Sequence, residues 1–448
     1  MPHFLALYTL AFVLYGASAF VVSREASWQR TLLIVGAAAI AMRVVLWGTV
    51  PSLSDDVYRY LWDGRLLTNG VSPYAFRVDS PALDYLATPN RALVNNSWMA
   101  SPYFPAAQGL FGMIALFAPE SALAFQVVIS LVDLLTGALI ATLLFRLGRS
   151  PALSLLYLWN PLVVVEFAHS AHVDAWMLAL LLAGLVALLG MPPPDRRAYW
   201  AAPVLLGLAS LVKPLPLLLG PVLAWRLGVR RLAVWGVVVV ALSAPFVALN
   251  GLGLAGPTDG VGFLGATRIY AGQWNYNGGL YHWLETLTTG NVVPWGAPST
   301  APGAQAARLI SGFVFLSVLA ALGWTARKAD TEGLLRRCLL AMVSYLLLTT
   351  TVHPWYPSVV LALVPLAVGS DRTGRPDWWP GLPWLWFSYA VAWSYLTYVG
   401  EFREFAFVRN LEYLPTLALL AFSLVTARQR GQRGFRLDAA QPVARRGP

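Results

Sequence analysis

The chain reads RTLLIVGAAAIAMRVVLWGTV at residues 30–50 and SDDVYRYLWDG at residues 54–64. The first stretch is long and apolar enough to cross a bilayer as one helix, which needs about 20 residues. The second stretch places Asp55 and Asp56 side by side where the apolar run ends. Carboxylates held beside a bilayer are costly, so their position indicates a functional role. The alternative interpretation is a solvated juxtamembrane loop with interfacial aromatic residues.

Composition indicates the class of protein. Of the 448 residues, 58% are hydrophobic and only 12% are charged, whereas about a quarter of the residues of a soluble protein are charged. Many other apolar runs match the length of a membrane helix, and they are continuous rather than alternating, which argues against a transmembrane β-barrel. The sequence therefore predicts an all-α polytopic membrane protein with roughly 11–13 transmembrane helices.

The candidate spans cover most of the chain and are interrupted by two long loops. One pair of short spans is broken at Lys213, which predicts a helix that reaches only mid-membrane. The chain is therefore interpreted as one transmembrane domain, 1–427, and a basic cytoplasmic tail, 428–448, that is disordered or rests on anionic membrane lipids. The candidate spans, bounded to within a few residues, are 3–22, 30–50, 122–146, 151–169, 173–190, 199–212, 214–226, 232–250, 306–326, 338–352, 354–368, 381–399 and 409–427.

Basic residues predict the orientation of these spans. Arginines and lysines gather in alternate short loops and in the C-terminal tail, and such loops face the cytoplasm. The two long loops, 51–121 and 251–305, then lie on the other side of the membrane, where loops of this length are commonly functional. The sequence thus predicts an integral inner (cytoplasmic) membrane protein, with the N-terminus outside and the active site on the periplasmic or extracellular face.

Charge, cysteine usage and missing motifs narrow the function. The net charge is +10, but the basic residues are spread over short loops, so no nucleic-acid partner is predicted. Cys338 is the only cysteine, which excludes an internal disulfide and a cysteine metal cluster. The sequence contains no phosphate-loop, dinucleotide or nucleophile-elbow motif, so no nucleotide site is expected on the cytoplasmic side.

Uncommon polar residues collect on the predicted outer face. Two of them, His169 and His172, are three residues apart and would share a helix face. A divalent metal is compatible with this pair but is not favoured, because common zinc enzymes use tighter patterns such as H-E-x-x-H. No cofactor is therefore predicted. The polar residues of this face are Asp55, Asp56, Glu166, His169, His172, Asp174, Lys213, Arg268, His353, Glu401, Arg403 and Glu404.

Two charged residues within predicted spans should have partners. Lys213 is expected either to snorkel to the interface or to bind an anion. An unpaired lysine inside the membrane costs about 2.5–3.5 kcal/mol, so Lys213 should lie beside an acidic group. Asp133 lies alone within the third predicted span, and it should pair in the same way.

Four segments carry a family resemblance. They read SDDVYRYLWDGRLLTNGVSPYAF at 54–76, SPYFPAAQ at 101–108, NPLVVVEFAHSAHVDA at 160–175 and HPWYP at 353–357. Together they resemble bacterial glycosyltransferases of the GT-C fold, which are mannosyltransferase-like integral membrane enzymes that use polyprenyl-phosphate sugars. One departure is that two predicted spans, rather than one, precede the acidic loop.

The resemblance implies an activity and a catalytic base. An acidic residue in the first outer loop serves as base in that family, and related mannosyltransferases place a Tyr four residues after the Asp and a Gly four residues later. Asp56, Tyr60 and Gly64 match this spacing, so Asp56 is the first candidate and Asp55 the second. The implied reaction transfers a hexose, preferentially mannose, with inversion. The donor would be a polyprenyl-phosphate sugar and the acceptor a lipid or glycan.

Such a transfer needs a base for the acceptor hydroxyl and cations for the leaving phosphate. Lys213, Arg268 and His353 are the candidates for binding the phosphate. A transporter or flippase of a polyprenyl-linked or anionic solute remains an alternative, since it would also keep intramembrane charges and broken helices. A non-catalytic scaffold subunit is a third interpretation. The other predicted substrate contacts are Arg59, Tyr60, Asp63, His172 and Asp174.

Overall fold

The computed structural model describes residues 1–25, 27–189, 196–255, 259–290, 302–370, 376–400 and 402–439. This part of the chain is predominantly helical, which confirms the predicted all-α class. The helices are α1 Pro2–Val22, α2 Trp28–Val44, α3 Asp56–Thr68, α4 Pro105–Phe117, α5 Ala122–Arg146, α6 Leu155–Leu158, α7 Pro161–Val164, α8 Asp174–Leu188, α9 Arg196–Ser210, α10 Gly220–Asn250, α11 Gly265–Gln273, α12 Gly279–Thr289, α13 Pro302–Ala326, α14 Thr331–Leu348, α15 Ser358–Ala367, α16 Leu382–Ala390 and α17 Ala406–Ala439.

Short irregular helices and one small hairpin complete the described elements. The two strands, β1 Gly369–Ser370 and β2 Pro376–Asp377, pair antiparallel with Gly369 opposite Asp377. Residues Val165–His169 form a turn of π-helix directly after α7. The 3₁₀ turns are Pro81–Leu86, Pro89–Leu93, Pro151–Ser154, Leu215–Leu219 and Val391–Tyr398.

Several of these helices can cross a bilayer. Five meet the length and hydropathy expected of a span, namely α1, α5, α13, the segment Leu215–Asn250 and the first part of α17, Ala406–Thr426. A sixth span results if the pair Pro151–Leu158 and Pro161–His169, bent by 63°, crosses as one unit. Four shorter apolar helices accompany them. The protein is thus a polytopic membrane protein, while the total of 11–13 spans stays a prediction.

Two of the predicted spans are broken for identifiable reasons. The span 151–169 is interrupted before Pro161, which cannot donate a helical hydrogen bond and therefore restarts the chain as α7. The side chain of Asn160 accepts the N–H of Leu162 at 3.0 Å and caps this restart. The break predicted near Lys213 is also present, because α9 ends at Ser210 and a 3₁₀ turn follows before α10 begins.

A buried ion pair joins a helix that precedes the acidic loop to one that follows it. Arg43 on α2 donates from Nε to Oδ2 of Asp133 on α5 at 2.6 Å. Its Nη1 donates to the carbonyl oxygens of Ala39 and Leu158. The expectation that Asp133 has a partner is confirmed. Because removing one member of a buried pair leaves an uncompensated charge, this contact holds α2, α5 and α6 together beneath the loop.

The two long loops contain ordered helices that carry the polar residues. The first contains α3 and α4, which cross closely at Gly64, where a Cβ atom would press against the carbonyl group of Phe111. The second contains α11 and α12 and leads into α13. Of the predicted tail, the part up to Ala439 continues α17. Residues 440–448 and Glu401 lie outside the described residues.

Candidate active site

Segments far apart in the sequence converge on the carboxylate of Asp56. Asn95 donates from Nδ2 to its Oδ1 at 2.8 Å, and the hydroxyl of Tyr103 donates to its Oδ2 at 3.1 Å. The imidazole Nδ1 of His172 lies 3.6 Å from the same Oδ2. Lys213 and His353 are close enough to act on Asp56 electrostatically. Three of these five residues lie in the segments quoted above, and Lys213 was identified separately at the predicted helix break.

The surroundings of Asp56 favour its ionised form. It begins α3, where the helix N-terminus favours negative charge, and its side chain is 17% exposed. Burial alone would raise its pKa, but His172, the Asn95 hydrogen bond, Lys213 and His353 outweigh that effect and lower the pKa. Asp55 is exposed, and partial burial together with the charge of Asp56 raises its pKa. Asp56 therefore fits a general base better than Asp55 does.

His172 lies between two carboxylates. The chain turns at Ala171, whose φ is +56°, directly after the π-turn that carries Glu166. The turn buries the His172 ring with Nδ1 facing Asp56 and with Nε2 3.2 Å from Oε2 of Glu166. The ring stacks on Trp355 with centroids 3.9 Å apart and planes inclined by 22°. Neither ring nitrogen has a hydrogen-bond partner among the described residues, so both distances are close contacts rather than hydrogen bonds.

The expectation that His169 and His172 share a helix face is wrong. The positive φ of Ala171 ends the helical path between them, so their rings have different surroundings. His169 instead places Nδ1 2.8 Å from Oγ1 of Thr49, and its Nε2 accepts the N–H of Ser52 at 3.2 Å. Within the described ranges, no group of three or more His, Cys, Asp or Glu side chains is arranged to hold a metal ion.

Lys213 has the acidic partner that the sequence analysis requires. Its Nζ donates to Oδ2 of Asp174 at 2.7 Å, and it lies 5.4 Å from the ring centroid of Tyr356. The lysine side chain is 19% exposed, whereas that of Asp174 is 3% exposed. At the helix break, Lys213 therefore pairs with a buried aspartate while its own side chain stays partly exposed.

The HPWYP segment contributes an aromatic stack. His353 lies parallel to Trp355, with centroids 4.6 Å apart and planes within 5°, and stacks on Tyr276 at 5.0 Å on another side. Backbone pairing holds this arrangement, since the N–H of Val352 donates to the carbonyl oxygen of Tyr276 at 2.8 Å. Burial lowers the pKa of His353 to about 3, and the charges of Lys213 and His172 act in the same direction. His353 is therefore neutral at physiological pH.

Arg59 is buried and bonded to the backbone. It is 1% exposed, and its guanidinium donates to the carbonyl oxygens of Asn95, Asn96 and Met99 at 2.8, 3.0 and 3.2 Å. Its predicted substrate contact stays a prediction. Arg59 fixes the loop that supplies the Asn95 amide to Asp56.

Tyr60 and Asp63 are buried and support neighbouring segments. The Tyr60 ring stacks on Phe111 at 4.6 Å, and its hydroxyl accepts the N–H of Val173 at 3.4 Å, which steadies the turn beside His172. Asp63 accepts hydrogen bonds from Ser101 and Gln108, and burial raises its pKa to about 6. The predicted substrate contacts of both residues stay predictions. Asp63 holds the segment that contains Tyr103.

Arg268 lies in the second long loop. It is half-buried on α11, which reaches the site through a hydrogen bond between the hydroxyls of Tyr270 and Tyr356. Its predicted role at the donor phosphate stays a prediction.

The sequence analysis assigned no catalytic or substrate role to several residues that build the site. Tyr103 and Trp355 lie inside two of the quoted segments, so their neighbourhood was identified but their roles were not. Asn95 carries no sequence signal, and its importance follows only from its bond to Asp56. Glu166 was recognised only as a polar residue of the outer face. The structure connects it to His172 and, through a 2.7 Å hydrogen bond to its Oε1, to Tyr395.

Comparison with known families identifies a close similarity. Residues 3–229, half of the chain, match the family described as alpha-(1->6)-mannopyranosyltransferase, N-terminal domain. The matched region contains α3, the His172 turn and Lys213.

Individual relatives carry the same description. The chain is 29% identical over 398 residues to a probable alpha-(1->6)-mannopyranosyltransferase of Mycolicibacterium smegmatis, with 74% of this chain and 65% of that protein covered. It is 25% identical over 390 residues to alpha-(1->6)-mannopyranosyltransferase A of Mycobacterium tuberculosis, with coverage of 77% and 67%. The corresponding protein of Corynebacterium glutamicum is 22% identical over 375 residues, with coverage of 76% and 70%. The match thus spans just under two thirds of the length of the first of these relatives.

Proposed function

This chain belongs to the alpha-(1->6)-mannopyranosyltransferase family, and we propose on that basis that it transfers a mannosyl unit from a polyprenyl-phosphate donor to a hydroxyl group of a lipid or glycan acceptor. The observation that carries the proposal is the arrangement around Asp56. An ionised, partly exposed carboxylate lies at the edge of a membrane domain, with the Lys213 cation nearby. A base and a cation for a leaving phosphate are what a phosphate-linked sugar donor requires.

Asp56 acts as the general base in this reaction. Its carboxylate accepts the proton of the acceptor hydroxyl as the oxygen forms a bond to the anomeric carbon of the sugar. The bond from that carbon to the phosphate oxygen breaks, and polyprenyl phosphate leaves with the electron pair. Tyr103 and Asn95 already donate to the two carboxylate oxygens, so they orient the base before substrate binds. Such positioning lowers the barrier because the reacting groups need little further ordering.

Lys213 stabilises the charge on the leaving phosphate. Its Nζ is fixed by Asp174 at 2.7 Å, and its partial exposure leaves donor capacity for a phosphate oxygen. His353 is neutral and serves as a packed neighbour or a hydrogen-bonding group rather than as a cation. We propose no metal cofactor, because the lysine supplies the positive charge that a divalent ion would otherwise bring to the phosphate.

The stereochemistry follows from a single displacement. One base acting on one acceptor inverts the anomeric carbon, so an α-linked product requires a β-linked donor. The carboxylate-separation rule of glycoside hydrolases does not apply directly, since no covalent sugar–enzyme intermediate is invoked. The polyprenyl chain of the donor would remain in the bilayer, and Asp56 would face the non-cytoplasmic side of the inner membrane.

Donor choice tests the proposal. Purified protein is incubated with a lipid or glycan acceptor and with labelled mannose linked either to polyprenyl phosphate or to a nucleotide. We expect transfer only from the β-linked polyprenyl phosphate. Transfer only from the nucleotide sugar would contradict the donor assignment. In proteoliposomes, movement of the lipid-linked sugar across the bilayer without transfer would favour the transporter interpretation.

A further inference from the structure

We propose that Glu166 and His172 form a buried pair that keeps Asp56 ionised and oriented, so that both act as positioning residues rather than as contacts to the sugar. This inference rests on the proposed function of Asp56 as the base. It gives a role to Glu166, which the reaction described above does not use. It also reassigns His172, whose sequence pattern suggested a substrate contact.

The geometry is a continuous chain of polar groups that runs inward from the site. Asp56 Oδ2 lies 3.6 Å from His172 Nδ1, and His172 Nε2 lies 3.2 Å from Glu166 Oε2. The hydroxyl of Tyr395 donates to Glu166 Oε1 at 2.7 Å. The backbone contributes as well, because the N–H of His172 donates to the carbonyl oxygen of Glu166 at 3.0 Å. The orientation of the His172 ring is thus determined by its side-chain neighbours and by its own backbone.

Burial excludes a direct substrate role for the inner members. The side chain of His172 is 0% exposed and that of Glu166 is 1% exposed, whereas Asp56 is 17% exposed. Trp355 covers one face of the imidazole at 3.9 Å. A sugar could therefore reach Asp56 but not the histidine nitrogens. An imidazole placed between two carboxylates is where a positive charge would be stabilised by both of them.

Other charged groups surround this chain without replacing its function. Lys213 is paired with Asp174, and Arg59 donates to backbone carbonyls, so neither neutralises Glu166 by contact. The titratable or charged groups facing Asp56, His172 or Glu166 from the packed segments are Tyr8, Asp55, Arg59, Tyr60, Tyr103, His169, Lys213, Tyr270, His353, Tyr395 and Tyr398. The uncharged ring of Trp355 stacks on His172.

The pair determines where one proton resides. When a single proton is shared by Asp56 and His172, Glu166 favours the form with imidazolium and an ionised Asp56. Without the charge of Glu166, more of that proton resides on Asp56, where it blocks base catalysis. Because interacting groups share their protons, the activity of a variant without the Glu166 charge would fall at a higher pH than the activity of the wild type.

The test is the pH profile of kcat/KM in the full-length Glu166→Gln variant with the lipid-linked donor. This substitution keeps the size of the side chain but removes its charge. We expect the acid limb to move upward by about two pH units, which lowers kcat/KM at pH 5 about tenfold relative to pH 8. The wild type should remain nearly flat over that interval. A uniform loss at every pH would indicate a merely structural role and would overturn the proposal.

Matched variants keep the test decisive. Glu412→Gln removes another fully buried carboxylate, one that accepts a 2.8 Å bond from Asn277, and should leave the acid limb in place. Tyr395→Phe should move the limb in the same direction as Glu166→Gln, but less. Its control, Tyr15→Phe, removes a buried hydroxyl that donates to the Leu156 carbonyl and should not move it. If Glu166→Gln does not fold, this tyrosine pair decides the question.

A double variant asks whether Glu166 acts through the histidine. Adding Glu166→Gln to His172→Gln should produce no further shift of the acid limb, because the imidazole that links the two carboxylates is already gone. A further shift of equal size would overturn the proposed connection. Failure of the proposed function is a separate result, in which the wild type itself transfers no sugar from polyprenyl phosphate or Asp56→Asn retains activity.

Discussion

Lys213 and Asp174 form an ion pair at the break between α9 and the following 3₁₀ turn, with Nζ 2.7 Å from Oδ2. The aspartate is buried and the lysine is partly open. The expected acidic partner of Lys213 is therefore confirmed, and the partial exposure of the lysine leaves room for a second anion. A cation held in this way can bind a phosphate without first being ordered.

Asp56→Asn should abolish most of the transfer activity. The substitution keeps the shape of the side chain but removes the proton acceptor, so kcat should drop by a factor on the order of 10²–10⁴. Donor binding, measured separately by equilibrium titration, should persist. Asp55→Asn is the matched control and should have a smaller effect. Near-normal turnover in Asp56→Asn would remove this residue from the role of base.

Lys213→Ala should raise the donor KM about 10- to 100-fold, because a charge-assisted hydrogen bond contributes about 1.5–3 kcal/mol. It should also destabilise the protein, since Asp174 is left buried without its partner. The double variant Lys213→Met with Asp174→Asn separates these effects. It should recover thermal stability in detergent but not donor affinity. Recovery of both would show that Lys213 is only structural.

His353→Phe should leave the donor KM nearly unchanged. Phenylalanine keeps the stack between Trp355 and Tyr276, and a neutral histidine offers no charge to lose. A tenfold rise in KM would show instead that His353 contacts the donor directly.

The same variant has a predicted pH signature in stability. The pKa of His353 is about 3 in the folded protein and about 6.5 when unfolded. The unfolded chain therefore binds more protons below pH 6.5, and the wild type loses stability as the pH falls. His353→Phe should lose up to about 2 kcal/mol less between pH 8 and pH 5. Thermal midpoints at the two pH values measure the difference, and equal losses would contradict the assigned burial.

Gly279→Ala should destabilise the protein by about 1–3 kcal/mol through overpacking. A Cβ atom at this position would overlap the ring of Tyr413 on α17, which contacts the segment that carries Tyr276. Gly272→Ala is the control, because the space around its Cβ is open, and it should be neutral or slightly stabilising. Equal stability of the two variants would show that the close packing of Gly279 is not maintained.

Topology can be tested by cysteine labelling. Tyr85→Cys lies on an exposed position of the first long loop, and Lys328→Cys lies beside Arg327 in the loop between α13 and α14. The native Cys338 is buried and should give little background. An impermeant reagent applied from outside should label the first variant only. Labelling of Tyr85→Cys only from the cytoplasm would contradict the orientation and the proposed side of the reaction.

Much of the architecture could be predicted because it depends on local properties. Apolar runs such as 122–146 specify membrane helices by their length and composition, and α5 has the predicted bounds. The break at Lys213 also followed from neighbouring residues. The need to pair an intramembrane charge anticipated a partner for Lys213 and another for Asp133, although it did not identify Asp174 or Arg43 as those partners.

The roles of individual polar residues depended on contacts between distant segments. Along α3, Asp56, Arg59, Tyr60 and Asp63 look equally suitable for substrate, and only packing shows that three of them face the protein. The positive φ of Ala171 turns the chain, so His172 does not share a helix face with His169. Its link through Glu166 to Tyr395 spans 229 residues of sequence between the last two. Hydrophobicity determines which segments enter the membrane, but the direction of each side chain is set by the neighbours against which its helix packs.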